Sequence, residues 1–262
     1  MSSENNRPSH NPTEQLAVVA SRMLEDDSTV FVGTGLPVVA SMLAQKTHAP
    51  GLIMVFEAGS IGPIVPQLPI SVGDSRTMHR AVVASSMHDM MSLSQAGYVD
   101  YGFIGGAQID SHGNINTTVI GDHDHPKIRL PGSGGANDVA SFSDRLIVIM
   151  RQSRRSFVDK LDFLTTPGFL DGEGARERAG LPSDTGPHRV ITQYAVYDFG
   201  GPDRTMRLRS LHPGVEIETV RETSGFDIEL PAGELDASPT PTGEEIRLLR
   251  EEIDPSGIVI GR

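Results

Sequence analysis

The 262-residue chain has no cysteine, no tryptophan, only 5% aromatic residues and just three lysines, Lys46, Lys127 and Lys160. Without cysteine there is no disulfide scaffold, no thiolate nucleophile and no Cys-ligated zinc or iron–sulfur centre. Three lysines leave few candidates for Schiff-base or P-loop chemistry. Arginine therefore supplies almost all the positive charge, which fits a GC-rich genome and a salt-adapted cytosol equally well. With 34 Asp and Glu against 22 Lys and Arg, the net charge is −12. Such a chain lacks the clustered cations that phosphate backbones require, so a nucleic-acid partner is not expected. No apolar run approaches the roughly 18 residues of a membrane span, so no membrane partner is expected either. The first dozen residues, MSSENNRPSHNP, have no apolar stretch and read as a disordered polar arm (1–12), not a signal peptide. The expectation is a soluble, cytoplasmic protein.

What is present is a strand–helix rhythm. Thr13 is a candidate N-cap for a helix running to about Glu25. Thr29–Val32 and Leu52–Phe56 are short, continuously apolar runs, and Pro37 opens a second helix between them. Tyr101–Ile104 and Leu146–Met150 repeat the strand pattern. Strands apolar on both faces, alternating with helices, indicate an α/β fold with a parallel sheet covered by helices. The last third differs. Arg189–Phe199 and Met206–Leu211 flank a Gly200–Asp203 hairpin signal. A helix near Glu216–Thr223, a strand Phe226–Leu230, a linker Pro231–Pro241 and a helix near Gly243–Glu252 follow. One domain, 13–262, is expected.

Ligands of parallel α/β sheets collect beyond the carboxyl ends of the strands. Two apolar runs end there in glycine-bearing turns. Gly33-Thr34-Gly35-Leu36-Pro37 opens a helix and is either a ligand-free turn or a cradle of N–H groups for an anion. It matches neither G-x-G-x-x-G nor a Walker loop. Glu57 follows five apolar residues, and is either a strand-end carboxylate paired with arginine or a partly desolvated nucleophile. Pro131–Asp138 (PGSGGAND) is the densest glycine cluster, able to bring backbone N–H groups close to a ligand or to serve as an ordinary loop. Asp122-His123-Asp124-His125 lacks recognised metal-ligand spacing, so no metal site is expected. G-x-S-x-G is absent, which argues against a serine nucleophile elbow. Arg151, Arg154 and Arg155 read as a solvated helix face or as an anchor for phosphates or a carboxylate.

Taken in order, these motifs resemble the β subunit of class I CoA-transferases and, within that family, the β subunit of glutaconate CoA-transferase. The resemblance is carried by VGTGLP (32–37), E-x-G-x-x-G-P (57–63), SVGD (71–74), FIGGAQID (103–110), GNIN (113–116), HPK (125–127) and PGSGGAN (131–137). It continues in Arg154-Arg155, in TTPGFLDGEGARERAGLPSDTGP (165–187) and in REEIDP (250–255), and so covers about residues 14–257. The resemblance implies an open, mostly parallel sheet with helices on both faces, a C-terminal β-hairpin and terminal helices. It implies a partner α subunit in an α2β2 assembly, with the active site between subunits. Glu57 takes the place of the catalytic glutamate, which forms an acyl anhydride and then a glutamyl-CoA thioester. Gly132, Gly134, Gly135, Ala136 and Asn137 become an oxyanion and CoA loop, and Gly33, Thr34, Gly35, Leu36 and Pro37 line the CoA site. Acyl-CoA and a carboxylic acid, a glutaconate-like dicarboxylate or a 3-oxoacid, are the implied substrates, with no tightly bound cofactor.

One departure is Ala58, where the family often has Asn or Ser. Relatives with altered chemistry form the alternative: a decarboxylase branch with Cys in place of the glutamate, and a ring-cleaving hydrolase branch whose β subunit lacks it. Glu57 and the missing cysteine favour the transferase.

Overall fold

The computed structural model describes residues 10–261. Its strands are β1 Thr29–Phe31, β2 Ile53–Phe56, β3 Ser60–Ile61, β4 Val83–Ala84, β5 Tyr101–Ile104, β6 Gln108–Ile109 and β7 Ile115–Asn116. They continue as β8 Val119–Gly121, β9 Pro126–Arg129, β10 Arg145–Ile149, β11 Pro187–Ile191, β12 Ala195–Asp198, β13 Arg207–Leu211 and β14 Asp236–Ala237. The helices are α1 Pro12–Ser21, α2 Leu36–Lys46, α3 Met87–Gln95, α4 Ala136–Phe142, α5 Ala175–Arg178, α6 Ile217–Glu222 and α7 Gly243–Arg247, the last continued by a π-helical turn Leu248–Ile253.

Ten strands form one open sheet in the order β14-β13-β12-β11-β10-β5-β1-β2-β3-β4. The central run from β11 to β2 is parallel throughout, with Val30 opposite both Met54 and Tyr101. Antiparallel strands extend both edges, β3 and β4 on one side and the β12–β13 hairpin on the other. The parallel strands are apolar because both faces are buried. Val30, Met54, Phe56, Phe103 and Ile147 pack toward α1, α2 and the C-terminal helices. Phe31, Val55, Ile104, Leu146 and Val148 pack toward α3, α4 and α6. Each such side chain contributes roughly 1.5–3 kcal/mol when fully buried. A helix cap contributes only ~1 kcal/mol, so burial on both faces decides the architecture. Gly102 admits α4: a Cβ there would lie 2.6 Å from Val139 Cγ1 and Ser143 Oγ.

Several sequence expectations need correcting. The N-cap of α1 is Asn11, not Thr13, and the helix ends at Ser21, well short of Glu25. Asn11 Oδ1 accepts from the Thr13 and Glu14 N–H groups at 2.9 Å, Glu14 returns a bond to the Asn11 N–H, and Pro12 occupies the first turn. Residues 11 and 12 of the expected polar arm are thus the cap and first residue of the helix, and residues 1–9 lie outside the described residues. Arg189–Phe199 is not one strand. Thr192 Oγ1 accepts from the Tyr194 and Ala195 N–H groups and turns β11 tightly into β12. Phe226–Leu230 forms no strand beyond one bridge, Glu229 to Arg207, because Phe226 packs on Phe157 at 5.9 Å instead of joining a ladder. The linker Pro231–Pro241 contributes β14, which adds to the sheet beside β13.

Glu14 carries a testable consequence. Its side chain is 1% exposed and meets Arg250 at 2.6 Å. Burial pushes its carboxyl up, but the Arg250 guanidinium and the Asn11 N–H outweigh this and hold it below the usual range. A depressed folded-state value means the stabilisation is present above the ordinary carboxylate range and lost as pH falls through it. Glu14→Gln is therefore expected to lower the melting temperature at pH 7 and to flatten its decline below about pH 4.5. Melting curves of both proteins from pH 7 to 3 check this; parallel curves would refute it.

Candidate active site at the carboxyl ends of the central strands

The chain passes from β1 to β2 on one side and returns to β5 on the other, so the strand order reverses at β1. At such a switch point the loops leaving adjacent strands part and open a crevice. A cleft of about 390 Å³ lies there, lined by Phe31–Thr34 at and beyond the end of β1, by Phe103–Gly105 at the end of β5, by Glu57 after β2 and by Ser133–Ala136 at the start of α4. Parallel pairing of β1 with β2 puts the Gly33–Gly35 turn and Glu57 at one edge of the sheet, as strand direction alone implied.

Glu57 begins a three-residue reversal between β2 and the antiparallel β3, where Phe56 pairs with Ser60. The Gly59 N–H donates to Phe56 O at 2.9 Å, and Gly59 takes φ +118°. A Cβ at Gly59 would lie 2.2 Å from Ser85 O, so the turn accepts only glycine. That turn sets Glu57, half-buried, at the mouth of the cleft. Its Oε1 accepts the Gly135 N–H at 3.0 Å, the bond joining β2 to the start of α4. Such charge-assisted bonds contribute roughly 1.5–3 kcal/mol. The approach needs glycine as well, since a Cβ at Gly135 would lie 3.0 Å from that same oxygen and 2.5 Å from Met91 Cε.

Of the residues singled out in sequence, Gly33, Thr34, Leu36, Pro37, Glu57, Gly134, Gly135 and Ala136 line the cleft together. Three do not. Gly35 caps α2 from outside the lining, with φ +81°. Gly132 exchanges two bonds with Thr117: its N–H donates to Thr117 O at 2.9 Å and its carbonyl accepts from Thr117 Oγ1 at 2.8 Å. Asn137 turns its Nδ2 to Thr165 O at 3.0 Å, so its side chain fastens α4 to a neighbouring loop. Val72 and Ser133, not among the expected site residues, are also in the lining. Each sits inside a quoted motif, SVGD or PGSGGAN, which was the available signal.

Among the described residues, Glu57 is the sole charged side chain in the lining. The Asp122–His125 stretch is a turn: Asp122 Oδ1 accepts from the Asp124 and His125 N–H groups, and the His123 ring stacks on Phe163 at 5.3 Å. Among the described residues no group of three metal-ligating side chains is gathered anywhere. Arg151, Arg154 and Arg155 lie exposed on a loop and turn, not on a helix, because Ser153 and Ser156 close the turn and Arg154 Nε donates to Glu222 O. Among the described residues no helix is long and apolar enough to cross a membrane.

Comparison with known proteins agrees with this geometry. The family described as Coenzyme A transferase matches residues 13–223. The chain is 39% identical over 248 residues to the β subunit of glutaconate CoA-transferase from Acidaminococcus fermentans, covering 92% of each chain. It is 39% identical over 242 residues to the β subunit of 3-oxoadipate CoA-transferase from Pseudomonas knackmussii, again covering 92% of each. The crystal structure of glutaconate coenzyme A-transferase from Acidaminococcus fermentans superposes with a TM-score of 0.92 at 35% identity, covering 98% of this chain and all of that one. The switch-point cleft, the Glu57 turn and the glycine loop thus lie in a chain that belongs to the coenzyme A transferase family.

Proposed function

We propose that this chain is the β subunit of an acyl-CoA:carboxylate CoA-transferase, with Glu57 as its nucleophile. One observation carries the reading: among the described residues, the sole charge lining the switch-point cleft is a carboxylate held at 3.0 Å by a backbone N–H. A Glu57 oxygen attacks the thioester carbonyl of an acyl-CoA. The C–S bond breaks, leaving a mixed acyl–glutamyl anhydride and CoA thiolate. The thiolate then adds to the glutamyl carbonyl and expels the first acid as its carboxylate, which leaves a Glu57–CoA thioester. An acceptor carboxylate repeats the two steps in reverse, so the kinetics are ping-pong.

The Gly135 N–H has a defined place in this sequence. Attack on the glutamyl carbonyl concentrates on one oxygen the charge that the free carboxylate shares over two. A donor already aimed at Oε1 therefore gains most at the tetrahedral stage, and that difference accelerates the step. Gly33, Thr34, Leu36 and Pro37, which line the same cleft, receive the CoA end, with Gly35 shaping the turn. Gly132 and Asn137 keep the glycine loop in place from outside the cleft. CoA enters as substrate, and the chemistry calls for no tightly bound cofactor.

The substrate acid is a short dicarboxylate. The two relatives described above, a glutaconate and a 3-oxoadipate CoA-transferase, are both named for dicarboxylic acids. Among the described residues, the lining carries no Lys or Arg. The cation that pairs with a distal carboxylate, and those that meet the CoA phosphates, then come from an α subunit closing over the cleft, in keeping with an α2β2 assembly. Dependence on CoA esters fits an enzyme of the cytoplasm.

Three outcomes follow. Co-expressed with its α subunit and incubated with an acyl-CoA, the wild-type chain acquires a CoA adduct on Glu57 visible by mass spectrometry. Glu57→Ala acquires none and loses at least roughly a thousandfold of its CoA exchange activity; full exchange in that variant would end the proposal, and turnover by hydrolysis without an adduct would favour the hydrolase alternative. Gly135→Ala leaves the fold intact, because Met91 Cε and Glu57 Oε1 are ends of flexible side chains, but displaces Glu57 and lowers kcat by about 10²-fold. A crystal structure with Glu57 unmoved, or an unchanged kcat, would contradict this. Finally, the purified chain alone is expected to be inactive, and robust turnover without the α subunit would refute a shared site.

A further inference from the structure

The long motif at residues 165–187 has no part in the chemistry above, yet it grips α4 at both ends. At the first turn Asn137 Nδ2 donates to Thr165 O at 3.0 Å. At the last turn Arg176 Nη2 donates to Ser141 O at 3.0 Å and Ala140 O at 3.4 Å, while Nη1 donates to Gly168 O at 2.8 Å. Nη2 also donates to Thr185 Oγ1 at 2.7 Å, and that hydroxyl bonds Ser141 O at 3.0 Å. Arg176 is 2% exposed, and its Nε is buried without a hydrogen-bond partner. Burial lowers its pKa to about 10, against the favourable charge of neighbouring Glu177, so it stays protonated at neutral pH.

A buried guanidinium with no ion-pair partner among the described residues is a costly way to join two loops, which an uncharged amide could also do. Its charge has a specific use here. The carbonyl end of a helix carries partial negative charge, and a cation there is stabilised by it. α4 has only seven residues, fewer than two turns, and so short a helix does not hold its own direction. Its axis is set by what grips its ends, and the direction of the Gly135 N–H follows that axis.

We propose that Arg176 is a positioning residue: by tying the carbonyl end of α4 to Gly168 and Thr185, it aims the Gly135 N–H at the Glu57 carboxylate roughly 10 Å away along the helix. The inference rests on Glu57 being the reacting carboxylate. All four residues involved at the two ends, Thr165, Gly168, Arg176 and Thr185, come from the one motif.

The test uses the assembled two-subunit enzyme carrying Arg176→Lys or Thr185→Val, assayed well below the melting temperature of each. Lysine keeps the charge and loses the planar fork; valine removes one acceptor and the hydroxyl's own bond to Ser141. Single-turnover formation of the Glu57–CoA adduct is expected to slow about tenfold or more in Arg176→Lys and about twofold or more in Thr185→Val. KM for acyl-CoA should hold, since the Gly33–Pro37 wall belongs to another element. A wild-type adduct rate in folded Arg176→Lys, with only its melting temperature lowered, overturns the proposal. Should that variant fail to assemble, Thr185→Val decides by the same criterion; if neither folds, Arg176 serves the fold alone and the proposal falls. Glu57→Ala separates the two readings: an adduct in that variant sinks the role of Glu57, whereas its absence alongside a wild-type rate in Arg176→Lys sinks only the positioning role.

Discussion

The hydrogen bond from Gly135 to Glu57 joins two parts of the chain that are 78 residues apart, and most of the local architecture exists to allow it. On one side, β2 has to end in a reversal that leaves Glu57 at the sheet edge, which requires Gly59 in a conformation closed to other residues. On the other, α4 has to begin with a residue that has no Cβ, because Glu57 Oε1 and Met91 Cε occupy that space. Neither demand concerns stability. Both glycines cost conformational entropy on folding, and the two cores on either face of the sheet offset that cost. The rigid part of the molecule is the burial of strands β11 to β2; the glycines mark where that rigidity is converted into position.

The position of the cleft follows from chain order alone. A parallel sheet whose chain moves outward in one direction leaves no gap between neighbouring loops. The reversal at β1 makes the β1 and β5 loops diverge, and the cleft forms between them. The loop after β5 then runs through two small hairpins, β6–β7 and β8–β9, before returning at Gly132. Those hairpins dock on the core through Ile109, Ile115 and Val119, each fully buried. They hold their shape through polar contacts such as Asn116 to Gln108 and to Val119 O, and Thr117 to Gly132. The glycine loop therefore hangs from a frame of hydrogen bonds, with α4 fixing its far end.

This division explains what could be read from the sequence. The central strands and α2 were legible, because burial on both faces writes itself as unbroken apolar runs and the helix start as Gly-Leu-Pro. Glu57 and Gly135 were legible as oddities of type and spacing. Their bond was not, since no local pattern reports which N–H a carboxylate meets 78 residues away. Strands of two residues such as β6 and β7 leave no periodicity to detect. The division between β11 and β12 depends on the hydroxyl of Thr192 closing a turn inside an apolar stretch. The resemblance puts Asn137 in the oxyanion and CoA loop, but no local pattern reports that its amide ties α4 to Thr165. Side-chain direction at a helix start depends on the neighbouring loop, and that loop comes from a distant motif.

The charge of the cleft is the remaining constraint. The Glu57 carboxylate at the mouth of the cleft repels anionic substrates that approach it, and both a dicarboxylate and a CoA ester are anionic. A site built from this chain's lining alone would therefore disfavour the substrates proposed for it. Repulsion of this kind is removed by cations placed around the opening, and the described residues of the lining supply none. Selectivity among acids then belongs to whatever brings those cations, while the carboxylate, its N–H donor and the wall proposed for CoA stay the same. On that division, relatives of this chain can carry different acids in their names at the same 39% identity. The residues that differ between acids need not lie in this subunit.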